Sequence, residues 1–202
     1  MTGHLSISEF PERFVGFFRE NIGLDEEELD FFCRFFQKQH LSSREHYLRE
    51  GDISRQKSYI KKGCTRTYTL DEKGKEHTQF FAFEDWWIAD FESYYTQKPG
   101  KSYVQAMEPC EILTISRSNW LLAEAKIPKM QQWYFQKAQK MLIATLNRLN
   151  EIKTFSPEER YQILLNKHPA IFQRVPLQYI ASYLDIEPPS LSRLRKRMME
   201  KK

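Results

Sequence analysis

The sequence predicts an α+β chain: a small antiparallel β-barrel or jelly roll with flanking helices, then a long helix, then a helix-turn-helix at the C-terminal end. Three observations predict it. Between about His46 and Ile115 the apolar residues alternate in short runs broken by Gly and charged turns. Between Lys129 and Ile152 they recur at heptad spacing, and Leu177 to Met198 reads as two short helices around a tight turn. With 202 residues, the chain has room for one substantial domain or two small ones. The pattern divides it into residues 1–117, 118–153 and 154–202.

At the N-terminus, Ile7 to Arg19 places Phe10, Phe14 and Phe17/Phe18 at helical spacing, and Asp25 to Gln39 does the same with Leu29, Phe32, Phe35 and Phe36. Asp25 followed by Glu28 has the form of a capping box. Both stretches read as amphipathic helices, and aromatic stripes at this spacing belong to a core more often than to a ligand site.

The period then changes. Tyr47-Leu48, Ser58 to Ile60, Thr65 to Leu70, Glu76 to Phe83, Ser102 to Ala106 and Glu111 to Ser116 read as strands. The turns between them are Glu50-Gly51-Asp52, Lys61-Lys62-Gly63, Lys73-Gly74-Lys75 and Lys98-Pro99-Gly100. Short strands separated by glycine turns form small barrels or jelly rolls.

Ser118-Asn119-Trp120 reads as the cap of a following helix, and Ile127-Pro128 interrupts it. In the long helix, Phe135, Ala138, Leu142, Thr145, Leu149 and Ile152 are spaced 3, 4, 3, 4 and 3. That seam suits an identical helix in a parallel coiled coil, hence a homodimer; the alternative is packing on the chain's own barrel. Ser156-Pro157 with Glu159 is a strong helix start, and His168-Pro169 stops that helix.

In the last segment Ile180, Ala181 and Leu184 share one helical face, and Leu191, Leu194 and Met198 share another. Asp185-Ile186-Glu187 forms the turn, and Pro188-Pro189 fits the first turn of a helix, whose N–H groups have no intrahelical acceptor. Ser190, Ser192, Arg193, Arg195, Lys196 and Arg197 are then the candidate DNA-binding residues. Charge agrees with the pattern. Residues 156–202 hold nine Lys/Arg against five Asp/Glu, whereas residues 1–155 hold 22 of each sign, so the whole excess of +4 lies with the last segment.

Other features exclude. No apolar run approaches a membrane span and the N-terminus lacks a secretion signal, so a cytoplasmic protein without membrane contact is expected. Cys33, Cys64 and Cys110 are dispersed, and His77 has no partner at ligand spacing; no metal site is expected. No nucleophile elbow, phosphate-cradling loop or paired carboxylates suggest an enzyme.

Taken together, the N-terminal helical pair, REGD at 49–52, Gly63-x-x-Arg66, the long helix, SPEERY at 156–161 and IASYL…SLSRLRK at 180–196 resemble the Crp/Fnr family of transcription regulators. The similarity is to the branch common in Bacteroidetes-type bacteria and covers nearly the whole chain. It implies a cyclic-nucleotide-binding-like sensor over residues 1–117, a dimerisation helix over 118–153, with Phe135, Ala138, Leu142, Thr145 and Leu149 at the interface, and a DNA-binding domain over 154–202. Duplex DNA, a second copy of the chain, RNA polymerase and a small-molecule effector of unknown identity are the partners it implies.

Two departures follow. In family members that bind cyclic AMP, a Gly-Glu pair precedes by ten residues an Arg that neutralises the cyclic phosphate; here these positions are Ala89-Asp90 and Gly100. Tight cyclic-nucleotide binding is therefore not expected, and no cofactor is implied. Trp87, Asp90, Phe91, Lys101 and Tyr103 are the candidate effector-pocket residues, in an aromatic region that either receives a flat ligand or simply fills the barrel. On the recognition helix, Pro188 and Pro189 stand where base contacts usually begin, so direct readout rests on Ser190 and Arg193. The alternative reading is a small-molecule sensor that acts through protein partners.

Overall fold

The computed structural model describes residues 4–200. After a short turn at Ile7–Glu9, helix α1 (Glu12–Phe17) continues as a wider π turn through Ile22, and α2 (Glu26–Cys33) follows. Asp25 and Glu28 cap α2 reciprocally, as the sequence predicts. The helix ends six residues earlier than expected, because Phe36–Leu41 is a strand, β1. The remaining strands are β2 (His46–Leu48), β3 (Gln56–Lys62), β4 (Thr65–Leu70), β5 (Glu76–Ala82), β6 (Trp87–Ile88), β7 (Tyr103–Ala106) and β8 (Cys110–Ser116), with α3 (Phe91–Thr96) between β6 and β7.

Of the two forms expected, a barrel or a jelly roll, the strands do not close into a barrel. They form two four-stranded antiparallel sheets, β1-β8-β3-β6 and β2-β7-β4-β5. Leu41, Leu48, Ile60, Ala82, Ile88, Val104, Ala106, Cys110 and Ile112 form the shared core, drawing on both sheets. Gly63, between β3 and β4, has φ +114°, and a Cβ there would lie 2.5 Å from Cys110 Sγ, so the β3–β4 corner needs glycine twice over.

A second, aromatic core forms on the outer side of the first sheet. Phe10, Phe14, Phe18, Phe32 and Phe36 pack with Tyr59, Leu113 and Ile115 from the strands and with Trp120 and Trp133 from two further helices, α4 (Arg117–Lys126) and α5 (Lys129–Thr154). Ser116, not Ser118, caps α4. Only the first turns of α5 join this core, where Met130 and Trp133 are buried. Beyond them a seam of apolar side chains is left open, with Phe135 65%, Leu142 60% and Leu149 50% exposed, while Arg148 and Glu151 near the end of the helix reach Tyr183 and Lys167.

The C-terminal helices are α6 (Pro157–Lys167), α7 (Ile171–Arg174), α8 (Leu177–Tyr183) and α9 (Pro188–Glu200). Ser156 and Glu159 cap α6 reciprocally, with Pro157 at the first helical position. Tyr161, Leu164, Ile171, Val175, Ile180, Ala181, Leu184, Leu191 and Leu194 form the third core, which also takes in Cys64 and Phe81 from the sandwich. Among the described residues no helix is long and apolar enough to cross a membrane, and no group of three His, Cys, Asp or Glu could hold a metal ion. All three cysteines are free and buried.

Candidate nucleic-acid interface

The C-terminal face is built from a tight turn. α8 ends at Tyr183, Asp185 adopts φ +54°, and the Ile186 N–H returns to the Ala181 carbonyl at 3.0 Å. Aspartate tolerates this left-handed conformation at modest cost. The Glu187 carbonyl then accepts from the Ser190 and Leu191 N–H groups and starts α9. Leu191 and Leu194 are buried against Ile180, Ala181 and Leu184, which fixes the rotation of α9.

That rotation leaves Ser192, Arg193, Lys196 and Arg197 exposed on one side, with Ser190 half-buried beside them. The Ser192 hydroxyl donates back to the Pro188 carbonyl, and Arg193 Nη2 donates to Ser190 Oγ at 3.2 Å. Arg195 differs from the other candidates. It is half-buried, its guanidinium lies 5.8 Å from the Phe172 ring centroid, and its Nε is buried without a hydrogen-bond partner.

Arg160 is a positioning residue that the sequence reading passed over. It is 8% exposed; its Nη1 donates to the carbonyls of Ile152 and Phe155 at 3.0 Å, and Nη2 donates to that of Asp185 at 3.4 Å. One guanidinium thus joins the end of α5, the link to α6 and the α8–α9 turn. Nothing in SPEERY distinguishes an inward Arg160 from a surface one, except that it stands one helical turn before the buried Leu164.

The effector-pocket candidates divide between two places. Trp87 belongs to the aromatic core, near Phe14, Phe36, Tyr59 and Trp120. Tyr103 stacks on Tyr68 at 4.9 Å in the other sheet, and its hydroxyl donates to Glu50. Asp90 is 6% exposed and caps α3, accepting from the Ser93 N–H at 3.0 Å and the Ser102 N–H at 3.3 Å. A Cβ on Gly100 would lie 2.5 Å from Asp90 Oδ2, so the loop closes directly on this carboxylate. Phe91 opens α3 half-buried, and Lys101 is exposed. An open depression of about 430 Å³ lies along Tyr47, Leu48, Gly51 to Ile53, Arg55 and Gln56, and none of the five candidates lines it.

A different group fills the space between the first sheet and the helices. Lys57, on β3, is 1% exposed, and its Nζ has no hydrogen-bond partner. It lies 3.0 Å from the ring centroid of Trp120, 4.4 Å from Tyr134, 5.3 Å from Tyr94 and 5.7 Å from Trp87. Burial pushes its pKa down to about 6, against the attraction of Glu124.

No family model and no curated protein matches this chain. Solved structures do. The regulator CLP of Xanthomonas campestris, described as responsive to c-di-GMP, aligns with a TM-score of 0.70 at 14% identity, over 88% of this chain and 93% of its own. FixK2 of Bradyrhizobium japonicum aligns with a TM-score of 0.72 at 12% identity, over 82% and 85%. A transcriptional regulator of the Crp/Fnr family from Eubacterium rectale aligns with a TM-score of 0.67 at 14% identity, over 90% and 89%. The chain therefore shares its fold with regulators of the Crp/Fnr type; at these identities the likeness is one of fold.

Proposed function

We propose that this chain is a homodimeric, DNA-binding transcription regulator of the Crp/Fnr type, with a helix-turn-helix formed by α8 and α9. The observation that carries this reading is the outward face of α9. Leu191 and Leu194 turn inward, and Ser192, Arg193, Lys196 and Arg197 are left together in solvent. A helix that presents cations and hydroxyls on one side suits the major groove, where Arg grips guanine O6 and N7 and Lys neutralises phosphate. The sequence places the whole charge excess in this segment.

The exposed apolar seam of α5 supports the same reading. Phe135, Leu142 and Leu149 are more exposed than a lone helix of a soluble chain usually leaves them, and they follow the heptad spacing. Two recognition helices then read two half-sites about one helical turn of DNA apart. Asp90 is engaged as a helix cap and Lys57 fills the space under the helices, so the sensor half is read as degenerate toward cyclic nucleotides, with an effector unidentified.

The test is binding of purified protein to a pool of random duplex DNA at several salt concentrations, with sequencing of what is retained. An enriched inverted repeat, with affinity falling as salt rises, is the expected result. No binding at low salt would sink this reading in favour of a sensor that acts through protein partners.

A further inference from the structure

The C-terminal helices are held on the sandwich by side-chain hydrogen bonds to strand backbone and by charge, as well as by apolar packing. β5 is the outer strand of its sheet, and an outer strand leaves N–H and C=O groups without a neighbouring strand. Ser182, near the end of α8, answers two of them. Its Oγ accepts from the Thr78 N–H and donates to the Glu76 carbonyl, each at 2.9 Å.

Charged groups make further contacts between the C-terminal helices and the sandwich. Arg174 on α7 donates Nη1 to Glu84 Oε2 at 2.9 Å, Nη2 to Glu84 Oε1 at 2.7 Å and Nε to Glu108 Oε1 at 3.1 Å, and both carboxylates belong to the sandwich. Its hydrogen bonds hold the Glu84 carboxyl down to about 2. Arg66 on β4 is fully buried, its guanidinium 4.0 Å from the Tyr68 ring and 3.7 Å from that of Tyr179 on α8. Lys75, in the β4–β5 turn, reaches Glu187 at 2.8 Å, just before α9. None of these contacts takes up Arg193, Lys196 or Arg197.

We propose that this clasp, with Arg174 and Ser182 as its positioning residues, sets the spacing between the two half-sites that the dimer accepts; the inference rests on the DNA-binding reading above. The distance between two recognition helices is single-valued only if every joint between them is stiff. Between α5 and α6 the chain passes through Phe155 and Ser156, both in extended conformation. Two extended residues are a narrow joint, braced on the α5 side by Arg160 and by Arg148, which donates to the Tyr183 carbonyl. The bonds to β5, Glu84 and Glu108 add a second anchor, on the sandwich, that fixes the remaining swing. The span then follows from the sandwich and the dimer helix, and Arg174 and Ser182 control spacer choice without touching a base.

The experiment uses full-length wild type, Ser182→Ala and Arg174→Gln. Amide exchange at Thr78 is measured without DNA, and each protein is run through selection from random duplex DNA. Expected are a protected Thr78 in the wild type, exchange about tenfold faster in Ser182→Ala, one spacer length selected by the wild type, and the same half-site with several spacer lengths selected by the variants. Ser182→Ala introduces no uncompensated charge, so it keeps the test open if Arg174→Gln misfolds. Variants that lose Thr78 protection yet keep one spacer would overturn the proposal. So would an unprotected Thr78 in the wild type. A protected Thr78 with no repeat enriched by any of the three proteins would overturn the DNA-binding reading, and with it the spacing role, while the clasp itself stood.

Discussion

The amine of Lys57 lies 3.0 Å from the centre of the Trp120 ring, and no hydrogen-bond acceptor meets it. A strand of the first sheet is thereby tied to α4, and through Tyr134 to α5, by an ammonium or amine held among four aromatic faces.

This arrangement predicts a pH-dependent stability. Burial lowers the folded pKa of Lys57 to about 6, while the unfolded value is about 10.4. Between these values the unfolded chain binds a proton that the folded chain does not, so stability from this group rises with pH through that window. Lys57→Met removes the dependence and raises stability near neutral pH by about 1–3 kcal/mol. Thermal melts of both proteins from pH 6 to 10 check it; parallel curves would refute it.

Gly100 predicts a steric penalty. A Cβ there would meet Asp90 Oδ2 at 2.5 Å and Cγ at 3.1 Å, so Gly100→Ala must displace the carboxylate that caps α3. The expected loss is about 1–3 kcal/mol, as for other overpacked sites, read from urea unfolding. For the same reason, calorimetric titration of Gly100→Arg with cyclic AMP should show no gain of binding.

The exposed seam of α5 predicts the assembly state. Leu142 is 60% exposed in the single chain, and Leu142→Glu places two like charges at the centre of the proposed coiled coil. Sedimentation velocity should show a dimer for the wild type and a monomer for the variant, with helicity retained. A wild-type monomer at micromolar concentration would remove α5 as the interface.

Arg193 and Lys196 should differ in what they contribute to DNA binding. Arg193→Ala is expected to relax base preference at one position per half-site and to cost about 1–3 kcal/mol; Lys196→Ala is expected to weaken binding evenly across sequences and reduce the salt slope by about 1. Affinity measured on the selected site and on single-base variants at two salt concentrations separates the two outcomes.

Much of the fold is legible because its signals are local. Thr65–Leu70 and Glu76–Ala82 alternate and turn at Gly74, and the Ser156 capping box announces α6 wherever it packs. The errors have a common origin in tertiary context. Phe32 and Phe36 continue a helical spacing, yet Phe36 begins β1 because it pairs with Ile115. The helix-capping bond of Asp90, a candidate effector-pocket residue, is likewise not read from the sequence. Lys57 lies just outside the strand read as Ser58 to Ile60, and the sequence reading passed over it. Its one signal was parity with Tyr59, since residues two apart share a strand face, and here that face is covered by helices. Arg174 and Ser182 act on groups far away in the chain, and Arg160 bonds to backbone carbonyls of Ile152, Phe155 and Asp185, which no side-chain pattern marks.

Because Ser182 takes up two backbone groups on the free side of β5, removing the C-terminal helices is expected to leave that edge open to other molecules. A fragment ending after α5 would present β5 as an open template and uncover Phe81, which packs against the C-terminal helices. Strands from neighbouring molecules could pair there without limit. Expression of the sandwich alone should therefore give insoluble or fibrillar material, and solubility would return on supplying residues 155–202 as a separate chain.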